Sequence, residues 1–352
     1  MVIVVDFLRL NLYITRMLGS TIQEVHRRSW ILIPVCDDWA ALDLLLAVID
    51  ALEAPRHFDV LVVNDSPLPP PLACITHPVH GRIRSVRILN LKRNVGHQRA
   101  ITLGLCHWLT QDYAGSVVVM DADGEDKPED ILRLLDAAEK YNGDAVVFAA
   151  RAKRSENTVF RLGYYLYRWV HYCLTGIPVR FGNFSALHRQ QIRTLVNYSE
   201  MWNHYAASVI RSRIPYTSIP THRGRRLAGK SRMNLAGWVG HGISALSIFS
   251  DLVGTRILIA SVAGFTCMTS FAVLLILCDY WLQWTFAPVI EAFLVFFALL
   301  FLSASMAASF FLFAVMNNRA MASFIPIRDC LYLLESVTTL DFENKPSSTS
   351  ER

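Results

Sequence analysis

The sequence predicts an α/β protein with a mostly parallel sheet, followed by a C-terminal transmembrane helical hairpin. Three observations carry this. Short β-branched apolar runs alternate with helix-length amphipathic segments across residues 30–149. Two long uncharged apolar runs follow, Ile257 to Leu277 and Leu294 to Met316. Charged residues make up only 18% of the 352, with 53% hydrophobic. That is below the roughly 25% charged of an ordinary soluble domain, which excludes a disordered chain and points to a membrane part.

The elements can be justified in order. Residues 1–29 form an N-terminal extension, apolar but interrupted by Asp6, Arg9 and Arg16. Without a basic start or a small-residue cleavage site, it is a poor signal peptide. Trp30 to Val35 reads as a first strand, ended by Pro34 and Asp37-Asp38. Ala40 to Leu52 reads as a helix, with Leu44, Leu45, Val48 and Leu52 at helical spacing. Phe58 to Val63 is a second strand, stopped by Asn64-Asp65-Ser66 and the following prolines. Ile83 to Leu89, Ser116 to Met120 and Asp144 to Ala149 are further strands. Gly96 to Leu109 is a helix, and Pro128 opens another. Strands alternating with helices in this way imply a parallel sheet covered on both faces. Such sheets bind ligands at the carboxyl ends of their strands.

Residues 151–254 are less regular and richer in Arg and aromatics. Leu235, Trp238, Val239, Ile243, Leu246 and Phe249 recur at helical spacing, as in a juxtamembrane amphipathic helix on the membrane surface or one packed on the soluble domain. The two uncharged runs match the roughly 20 residues a helix needs to cross a bilayer. No Lys or Arg occurs between Ile257 and Met316, whereas Asp279 and Glu291 do, so a net charge of +7 flanks the hairpin in a chain of net charge +5. By the positive-inside rule both termini and the α/β domain are expected on the cytoplasmic side. The expected division is 1–29 extension, 30–234 α/β domain, 235–255 amphipathic helix, 256–317 two membrane helices and 318–352 cytoplasmic tail, polar from Asn344 onward. The seven cysteines form no CxxC pair, which fits reduced cytosolic thiols better than disulfides or zinc.

Chemistry gathers at the strand ends. Strand four runs into Asp121-Ala122-Asp123-Gly124-Glu125-Asp126. Carboxylates at alternate positions after a buried strand suit Mg²⁺ or Mn²⁺ bridging phosphates, and they equally suit an acidic turn. Strand one ends in Pro34-Val35-Cys36-Asp37-Asp38 and strand two in Asn64-Asp65-Ser66. After strand three comes Arg93-Asn94-Val95-Gly96-His97-Gln98-Arg99-Ala100, where Gly96 allows close approach at a helix N-terminus. Asp65 can accept hydrogen bonds from a base edge or ribose. There is no GxGxxG and no P-loop.

These pieces, in the order IPVCDD, VVNDS, RNVGHQRA, VVMDADGEDKPED, FAARAKR, GNFSALHR and RRLAGKSRMN, resemble the family 2 glycosyltransferases of the GT-A fold. More closely they resemble polyprenyl-phosphate glycosyltransferases of the dolichol-phosphate mannose synthase type with a two-helix membrane anchor. The resemblance implies a Rossmann-like GT-A catalytic domain. It implies that Pro34, Val35, Asp38 and Asp65 line the nucleotide. Asp121, Asp123 and Glu125 would hold the metal on the donor diphosphate, with Glu125 standing where Gln is common. Arg151, Arg161 and Tyr165 would face the acceptor phosphate. Arg226, Gly229 and Ser231 match the Arg-x-x-Gly-x-Ser motif that closes over the donor phosphates. Cys36-Asp37 stands where relatives carry aromatic-Asn, Asn64 where Asp is common, and Arg232 where Lys is usual. A homo-oligomer is a further expectation from relatives, and no nucleic-acid partner is expected.

A sugar hydroxyl acceptor needs a positioned carboxylate base, whereas a lipid phosphate is already anionic and needs Arg partners. The region where hydroxyl-using relatives carry an Asp reads Tyr198-Ser199-Glu200-Met201-Trp202-Asn203-His204, with only Glu200 acidic. The expected reaction is therefore inverting, metal-dependent transfer from a nucleotide-sugar to a polyprenyl phosphate. The alternatives are a glycosyltransferase acting on a sugar or glycolipid hydroxyl with Glu200 as base, and an inactive membrane-anchored scaffold.

Overall fold

The computed structural model describes residues 29–71, 75–77, 81–111, 113, 115–141, 143–151, 158–178, 182–229, 235–282, 287–318 and 324–340. The N-terminal extension to residue 28, Ser231 and the polar tail from Asn344 lie outside these residues. The strands are β1 (Ser29–Val35), β2 (Phe58–Asn64), β3 (Ile83–Leu91), β4 (Ser116–Val119), β5 (Val146–Arg151), β6 (Ser185–His188), β7 (Tyr216–Thr221) and β8 (Leu334–Leu340). The helices are α1 (Trp39–Asp50), α2 (His97–Thr110), α3 (Glu129–Lys140), α4 (Thr158–Thr175), α5 (Arg189–Leu195), α6 (Tyr205–Arg211), α7 (Leu235–Ser247), α8 (Ser250–Leu282), α9 (Ala287–Asn318) and the single turn α10 (Pro326–Asp329). They divide into two compact units, with breaks near residues 155, 179, 232 and 320.

The first unit is one sheet of eight strands in the order β7-β5-β6-β4-β1-β2-β3-β8. Strands β1 to β4 run parallel to one another, and β5 pairs parallel with β7. β6 runs antiparallel between β4 and β5, and β8 runs antiparallel to β3. Continuous apolar runs form the centre because both faces are covered. Ile31, Ile33, Val60, Val62 and Val118 point into one core with Leu42, Leu46 and Leu134. Trp30, Leu32, Leu61, Val63 and Val119 point into the other with Leu103, Trp108 and Ile192. Successive side chains of a strand project to opposite faces, so one apolar run feeds two cores.

The sheet departs from the expected one at three strands. The pattern predicts no strand within residues 151–254, yet β6 and β7 from that stretch add to the sheet. β6 has four residues, too few for a period-2 pattern. β7 carries Pro220, which only an edge strand tolerates, and it is the last strand in the order. β8 comes from the segment read only as tail. It lies along the β3 edge, half-buried at Leu334, Thr338 and Leu340 and exposed at the residues between.

The second unit holds α4, α7, α8 and α9. Within it, Ser250–Cys278 and Glu291–Asn317 are long and apolar enough to cross a membrane, with mean hydropathies of 2.1 and 2.2, and neither apolar window is buried. Leu246, Val253 and Val315 form a small core with Leu174, Ile243, Ile257 and Phe311. The amphipathic face of α7 therefore packs at its C-terminal end on the long helices, while Val239 stays exposed. The C-terminus of α4 is capped by Arg256, which donates from Nη1 to the Cys173 carbonyl at 2.8 Å, a cation at the negative end of the helix dipole.

Candidate active site

Parallel strands β1, β2 and β4 end on the same side of the sheet, and antiparallel β6 begins beside the end of β4, with Val119 opposite Ser185. This topology alone brings residues 35–38, 64–66, 120–126 and 183 together. Pro34 and Val35 are buried at the end of β1. Beyond them Asp37 takes a left-handed φ of +58° while its N–H donates to Ser66 Oγ at 2.8 Å. The Asp65 N–H donates to the Val35 carbonyl at 2.8 Å, tying the ends of β1 and β2.

Asp65 is buried, and both its oxygens are engaged. Oδ1 accepts from the Val95 N–H at 2.6 Å and Oδ2 from the Gly96 N–H at 2.9 Å. Burial pushes its carboxyl above the usual range, and the two N–H donors offset part of that. Gly96 has a φ of +93°, a conformation open to glycine, and starts α2. Asp65 thus fixes the loop that presents His97. The His97 Nε2 lies 3.2 Å from Asp121 Oδ1 and 3.0 Å from Asn183 Nδ2. Desolvation works against its charged form, but attraction to Asp121 prevails and lifts its pKa. Asn183 is held in turn by Gln98, whose Nε2 donates to Asn183 Oδ1 at 3.1 Å and whose Oε1 accepts from the Tyr205 N–H at 2.7 Å.

The acidic turn after β4 is folded on itself and clasped by residues 223–228. Asp123 Oδ1 accepts from the Glu125 N–H at 2.9 Å, and Asp126 Oδ2 accepts from the Asp121 N–H at 3.2 Å. The Gly224 N–H donates to the Glu125 carbonyl at 2.8 Å and the Leu227 N–H to the Asp123 carbonyl at 2.9 Å. Arg226 then spans the site: Nη1 donates to Asp123 Oδ2 at 3.0 Å and Nη2 to Asp38 Oδ2 at 2.8 Å. Burial pushes the Asp123 carboxyl up; neighbouring Asp121 and Glu125 add to this, and Arg226 offsets part of it.

The structure therefore gathers Pro34, Val35, Asp38, Asp65, Asp121, Asp123 and Arg226. It also places Gly229 beside Asp38, since a Cβ at Gly229 would lie 3.7 Å from Asp38 Oδ1. Glu125, expected among the metal ligands, is instead paired with Arg223, whose Nε donates to Oε2 at 2.9 Å. Among the described residues no group of three or more His, Cys, Asp or Glu side chains converges to hold an ion. Arg151 ends β5, and Tyr165 is an exposed residue of α4 in the other unit, which also contains Arg161. His97, Asn183 and Arg223 were not singled out by sequence reasoning. The only signal for His97 was its place at the first turn after Gly96.

The donor set fits a divalent cation of the Mg²⁺ or Mn²⁺ kind. Two carboxylates at one turn, completed by phosphate oxygens of a ligand, are a usual environment for such ions. A positive group, the Arg226 guanidinium, already stands against Asp123 Oδ2.

Residues 30–196 match the profile of Glycosyl transferase family 2. That match covers just under half of the chain, from β1 to α5. An uncharacterised glycosyltransferase of Bacillus subtilis, YkcC, is 29% identical over 209 residues, covering 56% of this chain and 60% of that one. An undecaprenyl-phosphate 4-deoxy-4-formamido-L-arabinose transferase of Klebsiella pneumoniae is 30% identical over 133 residues, 37% of this chain and 38% of that one. The aligned regions thus span less than two thirds of either relative. Among solved structures, glucosyl-3-phosphoglycerate synthase from Mycobacterium tuberculosis superposes with a TM-score of 0.46 at 13% identity, covering 65% of this chain and 80% of that one.

Proposed function

We propose that the protein transfers a sugar from a nucleotide-sugar donor to a polyprenyl phosphate at the cytoplasmic membrane face, with inversion and with a divalent metal. The single observation that carries this is the Asp38–Arg226–Asp123 bridge across the strand ends, next to Asp121 and His97. It joins the nucleotide end of the site to the acidic turn. The lipid-phosphate acceptor draws on the Klebsiella relative and on two helices apolar enough to span a membrane.

Each residue has a physical task. Val35, Pro34 and Asp38 line the nucleotide. Asp65 holds the 94–96 loop so that the N-terminus of α2 faces the donor. Asp121 and Asp123 would hold Mg²⁺ or Mn²⁺, which when bound stabilises charge on a departing diphosphate. Arg226, with Gly229 and Ser231, closes over the donor phosphates. Arg151, at the end of β5, would receive the acceptor phosphate through charge-assisted hydrogen bonds. The acceptor oxygen is already anionic and attacks the anomeric carbon without a general base. One displacement inverts that centre. The basic residues flanking the hairpin support a cytoplasmic catalytic domain through the positive-inside rule.

Two substitutions test this. Asp123→Ala in the full-length protein abolishes transfer while the thermal unfolding transition stays cooperative; wild-type activity would sink the metal assignment. Glu200→Gln leaves turnover within about threefold, because a phosphate acceptor needs no carboxylate base. A thousandfold loss would instead establish a hydroxyl acceptor.

A further inference from the structure

Arg226 stands where a cation belongs. All three of its guanidinium nitrogens donate to the protein: Nη1 to Asp123 Oδ2, Nη2 to Asp38 Oδ2 and Nε to the Ala228 carbonyl at 3.0 Å. Its side chain is only 18% exposed, and that of Asp123 17%. Asp123 Oδ1 is committed to the Glu125 N–H. The guanidinium therefore occupies the oxygen that a metal ion would take. A divalent ion on Asp123 Oδ2 and a guanidinium nitrogen 3.0 Å from the same oxygen oppose each other by like charge. The same fork cannot grip Asp123 and also embrace the oxygens of two phosphates.

We propose that Arg226 is a place-holder for the metal. It neutralises Asp123 in the empty site and is handed from Asp123 to the donor diphosphate when cation and donor arrive together. The inference rests on the metal-dependent reading above. Leu227 and Gly224, bonded to the backbone of the acidic turn, make the handover local, because the loop stays anchored while the side chain swings. Two consequences follow from linkage. Metal alone binds weakly, since it binds against an internal cation. Metal and nucleotide each raise the affinity of the other by the same factor. The scarcity of converging ligands, with no three-residue cluster among the described residues, works in the same direction.

The test is a Mn²⁺ titration of the full-length protein in detergent, read by the electron paramagnetic resonance signal of free Mn²⁺, with and without UDP or GDP. Wild type binds Mn²⁺ weakly alone and more tightly with the nucleoside diphosphate it accepts. Arg226→Met binds Mn²⁺ alone about tenfold more tightly, because a charge-assisted competitor is gone. In that variant most of the nucleotide-dependent tightening is lost. Arg226→Lys keeps the charge without the fork, falls between the two and guards against a folding artefact. The proposal is overturned if Arg226→Met binds Mn²⁺ alone no better than wild type while nucleotide still tightens it fully. If wild type binds no Mn²⁺ under any condition, the metal-dependent reading itself fails, and the place-holder with it.

Discussion

Function at the residue scale rests on a few side chains whose surroundings oppose their charge. Asp123 is the sharpest case, because burial and neighbouring carboxylates push its pKa up in spite of Arg226. A carboxyl with a raised folded value favours folding fully below its unfolded value, and that contribution is lost as pH rises through the folded one. Asp123→Asn removes the penalty, so the metal-free variant melts above wild type at neutral pH. The gain shrinks as pH falls toward the ordinary Asp value of about 3.9. Melting curves at several pH values in EDTA check this, and a variant less stable than wild type at neutral pH would contradict it. Gly124 is a second sensitive point. Its φ is +78°, and a Cβ there would meet Leu227 Cγ at 2.4 Å. Gly124→Ala forces the turn and the clasp apart, which costs about 1–3 kcal/mol of stability and weakens donor binding. Calorimetry and nucleotide titration read both effects, and wild-type values for both would refute the clasp.

The edge strand β8 carries an unexpected load among the elements. Asn90 in β3 donates from Nδ2 to Ser336 Oγ at 3.1 Å and Thr338 Oγ1 at 3.2 Å, and accepts from Asn64 Nδ2 at 3.0 Å. Asn64 Oδ1 then accepts from the Ser66 N–H at 3.1 Å, so a chain of amides runs from the sheet edge to the loop behind Asp65. Asn90→Ala leaves the buried Asn64 amide short of a partner, at a cost of about 1–3 kcal/mol, and speeds hydrogen exchange in residues 334–340. Unchanged exchange there would show that β8 is held by its backbone ladder alone. The sequence revealed the elements whose pattern is local. Strands β1 to β5 and helices α1 to α3 were legible because an apolar run or a 3.6-residue stripe needs no knowledge of the partner. β6, β7 and β8 were not, because each is short or half-exposed and is stabilised by a distant neighbour. The same holds within the site. Asp121, Asp123 and Arg226 were legible from their motifs, whereas the pairing of Glu125 with Arg223 and the place of His97 depend on which loops fold over which strand ends. Asp65 shows the difference well: its residue type advertises a ligand contact, and its geometry spends both oxygens on the 95–96 backbone.

The whole molecule combines a charge-poor pair of long helices with a sheet unit that carries the chemistry. The apolar excess that marks the composition is concentrated in Ser250–Cys278 and Glu291–Asn317, and the basic excess flanks them. This division of labour suits the proposed pair of substrates, a water-soluble donor and a membrane-bound anionic acceptor. The chain leaves the sheet unit near residue 232 and returns to it near residue 320, so the apolar helices are an insertion rather than a terminal appendage. This is why a C-terminal strand can complete the sheet. The most direct test of the account incubates the full-length protein in lipid with Mg²⁺ or Mn²⁺, polyprenyl phosphate and a panel of UDP- and GDP-sugars, and identifies the product by mass and anomeric configuration. The account predicts a polyprenyl-phosphate-linked sugar of inverted configuration with one nucleotide class. It is contradicted if sugar is transferred only to a hydroxyl acceptor, or to polyprenyl phosphate with retained configuration.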